Sequence, residues 1–231
     1  MAAGSVSTPP AAVLFSGGLD SAVLLALELE DHAPVWPLHV RAGLAWEDAE
    51  ARAIARLLAA APFAGRTRPA ASLTVDMRDV YPASHWAVRG QPPAYDTPDE
   101  DVYLEGRNIV LIAKAAVWCA RQGVPRLVLG PLAGNPFPDA TPEFFETMAR
   151  AMSLGLAHPL TVAAPLADRH KEEVVALGVR LGVPLAITLS CMNPAGDAHC
   201  GACSKCRERR DAFRLAGVDD PTRYAAHSTR E

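Results

Sequence analysis

The hexapeptide Ser16-Gly17-Gly18-Leu19-Asp20-Ser21 puts two hydroxyls, two bare glycine amides and one carboxylate into a single turn. Ser16 and Ser21 can donate hydrogen bonds, Gly17 and Gly18 let the backbone approach an anion, and Asp20 is suited to hold magnesium or to orient the turn. That chemistry serves phosphate. A short apolar stretch (13–15) precedes the turn and a helix-like stretch (22–30) follows it, so the amides that open the helix point at whatever the turn holds. The Gly-Lys-Ser/Thr ending of the Walker loop and the G-x-G-x-x-G of dinucleotide folds are both absent, which excludes those two sites. The plainer alternative is a glycine turn in which Asp20 and Ser21 only serve the helix start.

A second group of residues is built for metal. Cys191, Cys200, Cys203 and Cys206 stand in the pattern C-x8-C-x2-C-x2-C. Three thiolates from a tight loop and a more distant fourth can close a tetrahedron with no open position, the arrangement of structural zinc. His199 replacing one thiolate and an iron–sulfur cluster are the alternatives. Five cysteines is an odd count, and four of them fall in the last 41 residues, so metal ligation in a reducing compartment explains them better than disulfides. Cys119, inside "AVWCARQ", is expected in a helix and in the core.

These groups must be positioned by one sizeable α/β core, which 231 residues of half-hydrophobic composition can bury. The pattern predicts strands over 13–15, 35–40, 72–76, 126–130 and near 185–189. Helices are predicted over 22–30, 46–61, 109–122, 142–153 and 171–181. Strands alternating with helices imply a parallel sheet with helices on both faces. The Pro-rich stretch 82–106 is long for a connection, and such loops are functional or mobile. Residues 1–189 are expected to form the nucleotide-binding α/β domain and 190–231 a cysteine-bearing appendix.

A formal charge of −4 argues against a broad nucleic-acid platform. Only residues 199–214 are locally basic, with Lys205, Arg207, Arg209, Arg210 and Arg214 against Glu208 and Asp211. That segment is expected to be a solvated helix or one face of a dimer contact. The longest apolar run is too short to span a bilayer, and the N-terminus does not read as a secretion signal, so the expected location is the cytoplasm.

The hexapeptide resembles the pyrophosphate loop of the ATP pyrophosphatases. Together with "EGRN", "PFPDATPEFF", "MSLGLAHPL", "KEE" and the terminal "SC…HCGACSKCRER" and "GVDDPTRY", it resembles in order the 7-cyano-7-deazaguanine synthase family. The resemblance implies an adenine-nucleotide hydrolase-like, Rossmann-like parallel sheet with a zinc-binding appendix, often a homodimer. It implies conversion of 7-carboxy-7-deazaguanine and ammonia to the nitrile for queuosine or archaeosine. Two ATP activations would release AMP and pyrophosphate, or ADP and phosphate if the second differs. Its cofactors would be ATP, Mg2+ and Zn2+. On the same basis Lys171 would meet pyrophosphate, Arg107 phosphate or the substrate carboxylate, and Arg41 the nucleotide. Asn108, Phe137 and Asp139 would line the deazaguanine seat. Thr141 and Pro142 also read locally as a helix cap and first helical residue, and Asn108 as a cap.

The chain departs from the family at "HVRAGLAWEDAE" after the second strand, and at Ala140 and Thr141, where the family has Cys and Arg. A branch acting on a related carboxylate or amine therefore stays open. So do a tRNA-thiolating ATP pyrophosphatase and a non-catalytic nucleotide-binding zinc module.

Overall fold

The computed structural model describes residues 8–225. Five strands, β1 (Ala11–Leu14), β2 (Val35–Arg41), β3 (Ala71–Thr74), β4 (Arg126–Val128) and β5 (Thr161–Ala163), form a parallel sheet in the order β3-β2-β1-β4-β5. The helices are α1 (Leu19–Asp31), α2 (Glu47–Leu58), the short α3 (Trp86–Arg89), α4 (Arg107–Gln122), α5 (Pro142–Leu156), α6 (Lys171–Arg180) and α7 (Ser204–Ala216).

The central strand shows why the sheet is apolar. Ala11 and Val13 enter one core with Leu24 and Leu25 of α1, Val174 of α6 and Phe213 of α7. Ala12 enters the other core with Ile112 of α4 and Phe145 of α5. A strand covered on both faces has no polar side to alternate with. Each such Leu or Phe contributes about 1.5–3 kcal/mol by leaving water. On the first face α1 and α6 approach so closely that a Cβ on Gly178 would stand 2.8 Å from Val23 Cγ2. A glycine inside α6 is thus explained by packing.

Two elements differ from the sequence expectation. The segment expected as a last strand is a 3-10 turn, Leu185–Ile187, because the next amide with a sheet-like partner, that of Leu189, bonds to Gly17 O at 2.8 Å instead. The edge strand beside β4 is β5, which the sequence pattern does not predict because its three residues are only partly buried and show no apolar run. The Pro-rich stretch 82–106 contains α3 and a 3-10 turn and ties back to the cysteine segment through Ser204 N donating to Pro93 O at 3.4 Å. Other boundaries shift by a few residues, and Thr141 caps α5 as expected, its hydroxyl accepting from Phe144 N at 3.2 Å.

The basic segment is also different from expectation. Arg209 is fully buried, donating to Thr188 Oγ1 at 2.9 Å, Ser190 Oγ at 3.0 Å and Leu185 O at 2.8 Å. Arg210 lies over the Tyr224 ring, 4.0 Å from its centroid. Helix α7 therefore packs against the body, with Ala212 and Phe213 in the main core. It is not a solvated face.

Candidate active site

The strand order reverses at β1, where β2 lies on one side and β4 on the other. Ligands of open parallel sheets bind in the crevice beyond the strand ends at such a reversal. The loop Ser16–Ser21 occupies it. Gly18 caps α1 with no side-chain acceptor, so the first amides of the helix have no partner from a capping residue. Gly18 N donates to Ser16 Oγ at 3.3 Å, Ser21 Oγ donates to Gly18 O at 3.1 Å, and the two hydroxyls stand 3.3 Å apart. Gly17 has φ +74°, and a Cβ there would lie 3.2 Å from Ala53 and Ile54 of α2. The turn needs glycine for conformation and for space.

The crevice holds two adjoining chambers of about 290 Å3 each. Ser16, Gly18, Asp20, Glu50, Arg107 and Phe137 are among the residues of their shared wall. Two atoms on that wall, Asp20 Oδ1 and Arg107 Nε, are buried with no hydrogen-bond partner. An orphaned buried polar atom costs about 1–3 kcal/mol, so this wall carries bonding capacity that the described residues do not use.

The outer chamber is charged. Lys171 Nζ donates to Asp20 Oδ2 at 2.6 Å and lies 3.1 Å from Glu208 Oε1, while Lys205 Nζ donates to Glu208 Oε2 at 2.6 Å. Burial alone would raise the Glu208 carboxyl, but the two ammoniums outweigh it and hold it down to about 2. Burial likewise works against the Lys171 charge, and Asp20 and Glu208 outweigh it, raising its pKa above the ordinary lysine range.

The inner chamber mixes apolar walls, Leu14, Leu38, Val102 and Leu104 among them, with polar groups. Among its lining residues the buried His39 and Glu50 are paired, Nε2 to Oε2, at 3.0 Å, and Glu50 also lines the outer chamber. Phe137 stacks on Tyr103 with centroids 5.0 Å apart. Asp139 is buried and accepts from Asn108 N at 2.9 Å, and Asn108 Nδ2 donates back to Asp139 O at 3.0 Å. Gly106, not Asn108, occupies the capping position of α4, and the Asp139 carboxylate supplies the cap from a distant turn.

The loop residues, Lys171, Arg107, Asn108, Phe137 and Asp139 thus converge on one crevice. Arg41 stands apart: it pairs with Asp48, lies 3.7 Å from Glu47 Oε2, and lines neither chamber. Glu47 also accepts from Gly43 N at 3.1 Å, so this stretch is held by α2 and away from the crevice. The sequence reading missed His39, Glu50, Tyr103, Lys205 and Glu208 as site residues. A histidine inside an apolar strand and a glutamate on a buried helix face were the available signals for the first pair.

The Sγ atoms of Cys191, Cys200, Cys203 and Cys206 all lie within 4.8 Å of one another. Backbone amides already point at them, Cys200 N to Cys191 Sγ at 3.2 Å and Ala202 N to Cys200 Sγ at 3.4 Å. Such contacts steady thiolates around a metal. His199 is not part of the group: its Nε2 accepts from Ser190 N at 3.0 Å, and burial and Arg209 hold its pKa down to about 4. Cys119 sits in the core as expected, with burial pushing its thiol up to about 12.

A family model described as queuosine biosynthesis protein QueC matches residues 10–217. The chain is 35% identical to the 7-cyano-7-deazaguanine synthase of Azoarcus sp. (strain BH72), covering 94% of this chain and 98% of the relative. The chain belongs to the 7-cyano-7-deazaguanine synthase family. The synthase of Methanothrix thermoacetophila is 33% identical over 93% of this chain and 98% of its own length. Among solved structures, a predicted subunit of tRNA methyltransferase from Methanocaldococcus jannaschii matches with TM-score 0.50 at 13% identity, covering 95% of this chain and 94% of that one. That likeness concerns the fold alone.

Proposed function

We propose that this chain makes 7-cyano-7-deazaguanine from 7-carboxy-7-deazaguanine, ammonia and ATP. The observation that carries the proposal is the shared wall of the two chambers. There a helix start without a side-chain cap, the Asp20 carboxylate and the Arg107 guanidinium line the same space, and each of the two side chains keeps one buried atom unpartnered. A nucleotide's phosphates and a substrate carboxylate are brought together at one such point.

A carboxylate does not react with ammonia until one of its oxygens can leave. Its oxygen attacks the α-phosphorus of ATP, pyrophosphate departs, and ammonia displaces AMP from the acyl carbon to give the amide. The amide oxygen is adenylated in the same way and leaves as AMP with loss of the nitrogen's protons, which produces the nitrile. The protein's task is positioning and neutralisation of phosphate charge. The amides of Gly18 and Leu19 and the hydroxyls of Ser16 and Ser21 hold phosphate oxygens. Lys171 meets the departing pyrophosphate as a point charge. Arg107 orients the carboxylate or the α-phosphate, and Phe137 with Tyr103 offers a stacking face for a heterocycle. Asp139 keeps lone pairs free beyond its bond to Asn108, so it can both cap α4 and accept from a ring N–H.

Asp20 is the residue fitted to hold Mg2+, which would supply charge neutralisation at the phosphates. The four cysteines fit a single Zn2+. A tetrahedron with Zn–S bonds of about 2.3 Å sets its sulfurs about 3.8 Å apart, and the Cys203–Cys206 and Cys200–Cys206 pairs here are 3.5 and 3.9 Å apart. A four-iron cluster stands between its cysteines and spreads them further. The compact cluster and the packed α7 favour the synthase over a thiolating enzyme.

Mass spectrometry of purified, metal-loaded protein tests the proposal. AMP and pyrophosphate are expected only when the 7-carboxy acid is present, and nitrile only when ammonium is added. AMP formation with a different carboxylic acid alone would move the chain to a divergent branch. No nucleotide binding at all would end the proposal.

A further inference from the structure

Helix α7 brings more to the crevice than two cysteines. Its first turn carries Lys205 between Cys203, the helix cap, and Cys206, and one turn later it carries Glu208. Both line the outer chamber beside Lys171 and Asp20. Glu208 bridges the lysines, one oxygen 3.1 Å from Lys171 Nζ and the other 2.6 Å from Lys205 Nζ. All three side chains are mostly withdrawn from solvent, with 16%, 27% and 22% exposure for Lys171, Lys205 and Glu208. Two ammoniums from different helices converging on one carboxylate inside a chamber of about 290 Å3 is more than a surface pair, which would contribute little.

We propose that Lys205 is a second phosphate-binding residue, and that Glu208 is the internal carboxylate that holds Lys205 and Lys171 in place until the polyphosphate displaces it. The inference rests on the reading that the loop binds ATP. Its physical logic is charge compensation. Two ammoniums brought together in an empty chamber repel each other, and the resident carboxylate neutralises them until a stronger anion takes its place. The β- and γ-phosphates carry more negative charge than one carboxylate and offer more acceptors, so they win both ammoniums when they enter. Because Lys205 sits between two cysteines of the metal group, the metal seat sets its position. The thiolate loop and the nucleotide site share one helix.

Calorimetric titration of the full, metal-loaded chain with inorganic pyrophosphate and, separately, with AMP tests this. Lys205→Gln is expected to weaken pyrophosphate binding about tenfold and to leave AMP binding, bound metal and melting temperature unchanged. Lys205→Arg is expected to recover most of the loss. Glu208→Gln is expected to bind pyrophosphate several-fold more tightly, since the competing anion is gone. Equal pyrophosphate affinity in Lys205→Gln, or an equal loss of AMP and pyrophosphate, would overturn the assignment of Lys205. Weaker binding in Glu208→Gln would overturn displacement. If the unsubstituted chain binds neither ATP nor pyrophosphate, the nucleotide reading itself fails.

Discussion

The phosphate loop and the cysteine turn are both tight turns that run into helices, α1 and α7, and neither helix has a side-chain cap. Their bonding is opposite. The loop leaves one Asp20 oxygen unpaired and gives its helix no side-chain cap, while the cysteine turn collects its own amides onto sulfur and closes four thiols on one point. Openness suits a ligand that must come and go in each turnover. Closure suits an ion that stays. The two meet where Leu189 N donates to Gly17 O at 2.8 Å, so the permanent site props the exchangeable one.

The largest effect expected from breaking this contrast is at the closed site. Cys203→Ser should lose the bound ion and the cooperative thermal transition, because structural zinc contributes on the order of 10 kcal/mol to the folding of small thiolate sites. Metal analysis and calorimetry check both. Retention of a full-strength transition without metal would show that the closed site does not prop the loop.

At the open site Asp20→Ala should lower kcat/KM by at least about a hundredfold, as loss of one preorganised phosphate-site group does, with the melting temperature within a few degrees. Steady-state AMP formation measures it. A smaller effect is expected at the joint. Gly17→Ala forces a positive φ and a close approach to Ala53 and Ile54, and should cost about 1–2 kcal/mol of stability in chemical denaturation.

The smallest effect concerns Cys119, which neither site uses. Burial holds its thiol neutral in the fold up to about 12, against the ordinary 9.0 of an exposed one. A group with a raised folded pKa contributes fully below the unfolded pKa and loses that contribution as pH rises, here between 9.0 and about 12. Cys119→Ala should therefore flatten the alkaline fall in stability, and at pH 8 iodoacetamide should leave Cys119 unlabelled until the protein unfolds.

The contrast also explains what could be read from the sequence. The loop and the cysteines are contiguous or nearly so, and their chemistry fixes their spacing, so six adjacent letters and one cysteine pattern revealed them. The parallel α/β fold followed from alternating apolar segments, apart from β5, a partly exposed edge strand, and the turn at Leu185–Ile187, after which Leu189 bonds to the loop. The inner chamber was less legible. His39 and Glu50 come from a strand and a helix, Tyr103 and Phe137 from loops 34 residues apart, and no local pattern records such pairings. Arg209 was misread because a run of arginines looks solvated until tertiary packing buries one of them.

The central claim is that a substrate carboxylate oxygen attacks the α-phosphorus of ATP at the wall shared by the two chambers. Turnover with the 7-carboxy acid labelled with oxygen-18 in its carboxylate, followed by mass spectrometry of the nucleotide and phosphate products, tests it most directly. The account predicts label in AMP and none in pyrophosphate. Label in inorganic phosphate, with ADP as the nucleotide product and unlabelled, would contradict it.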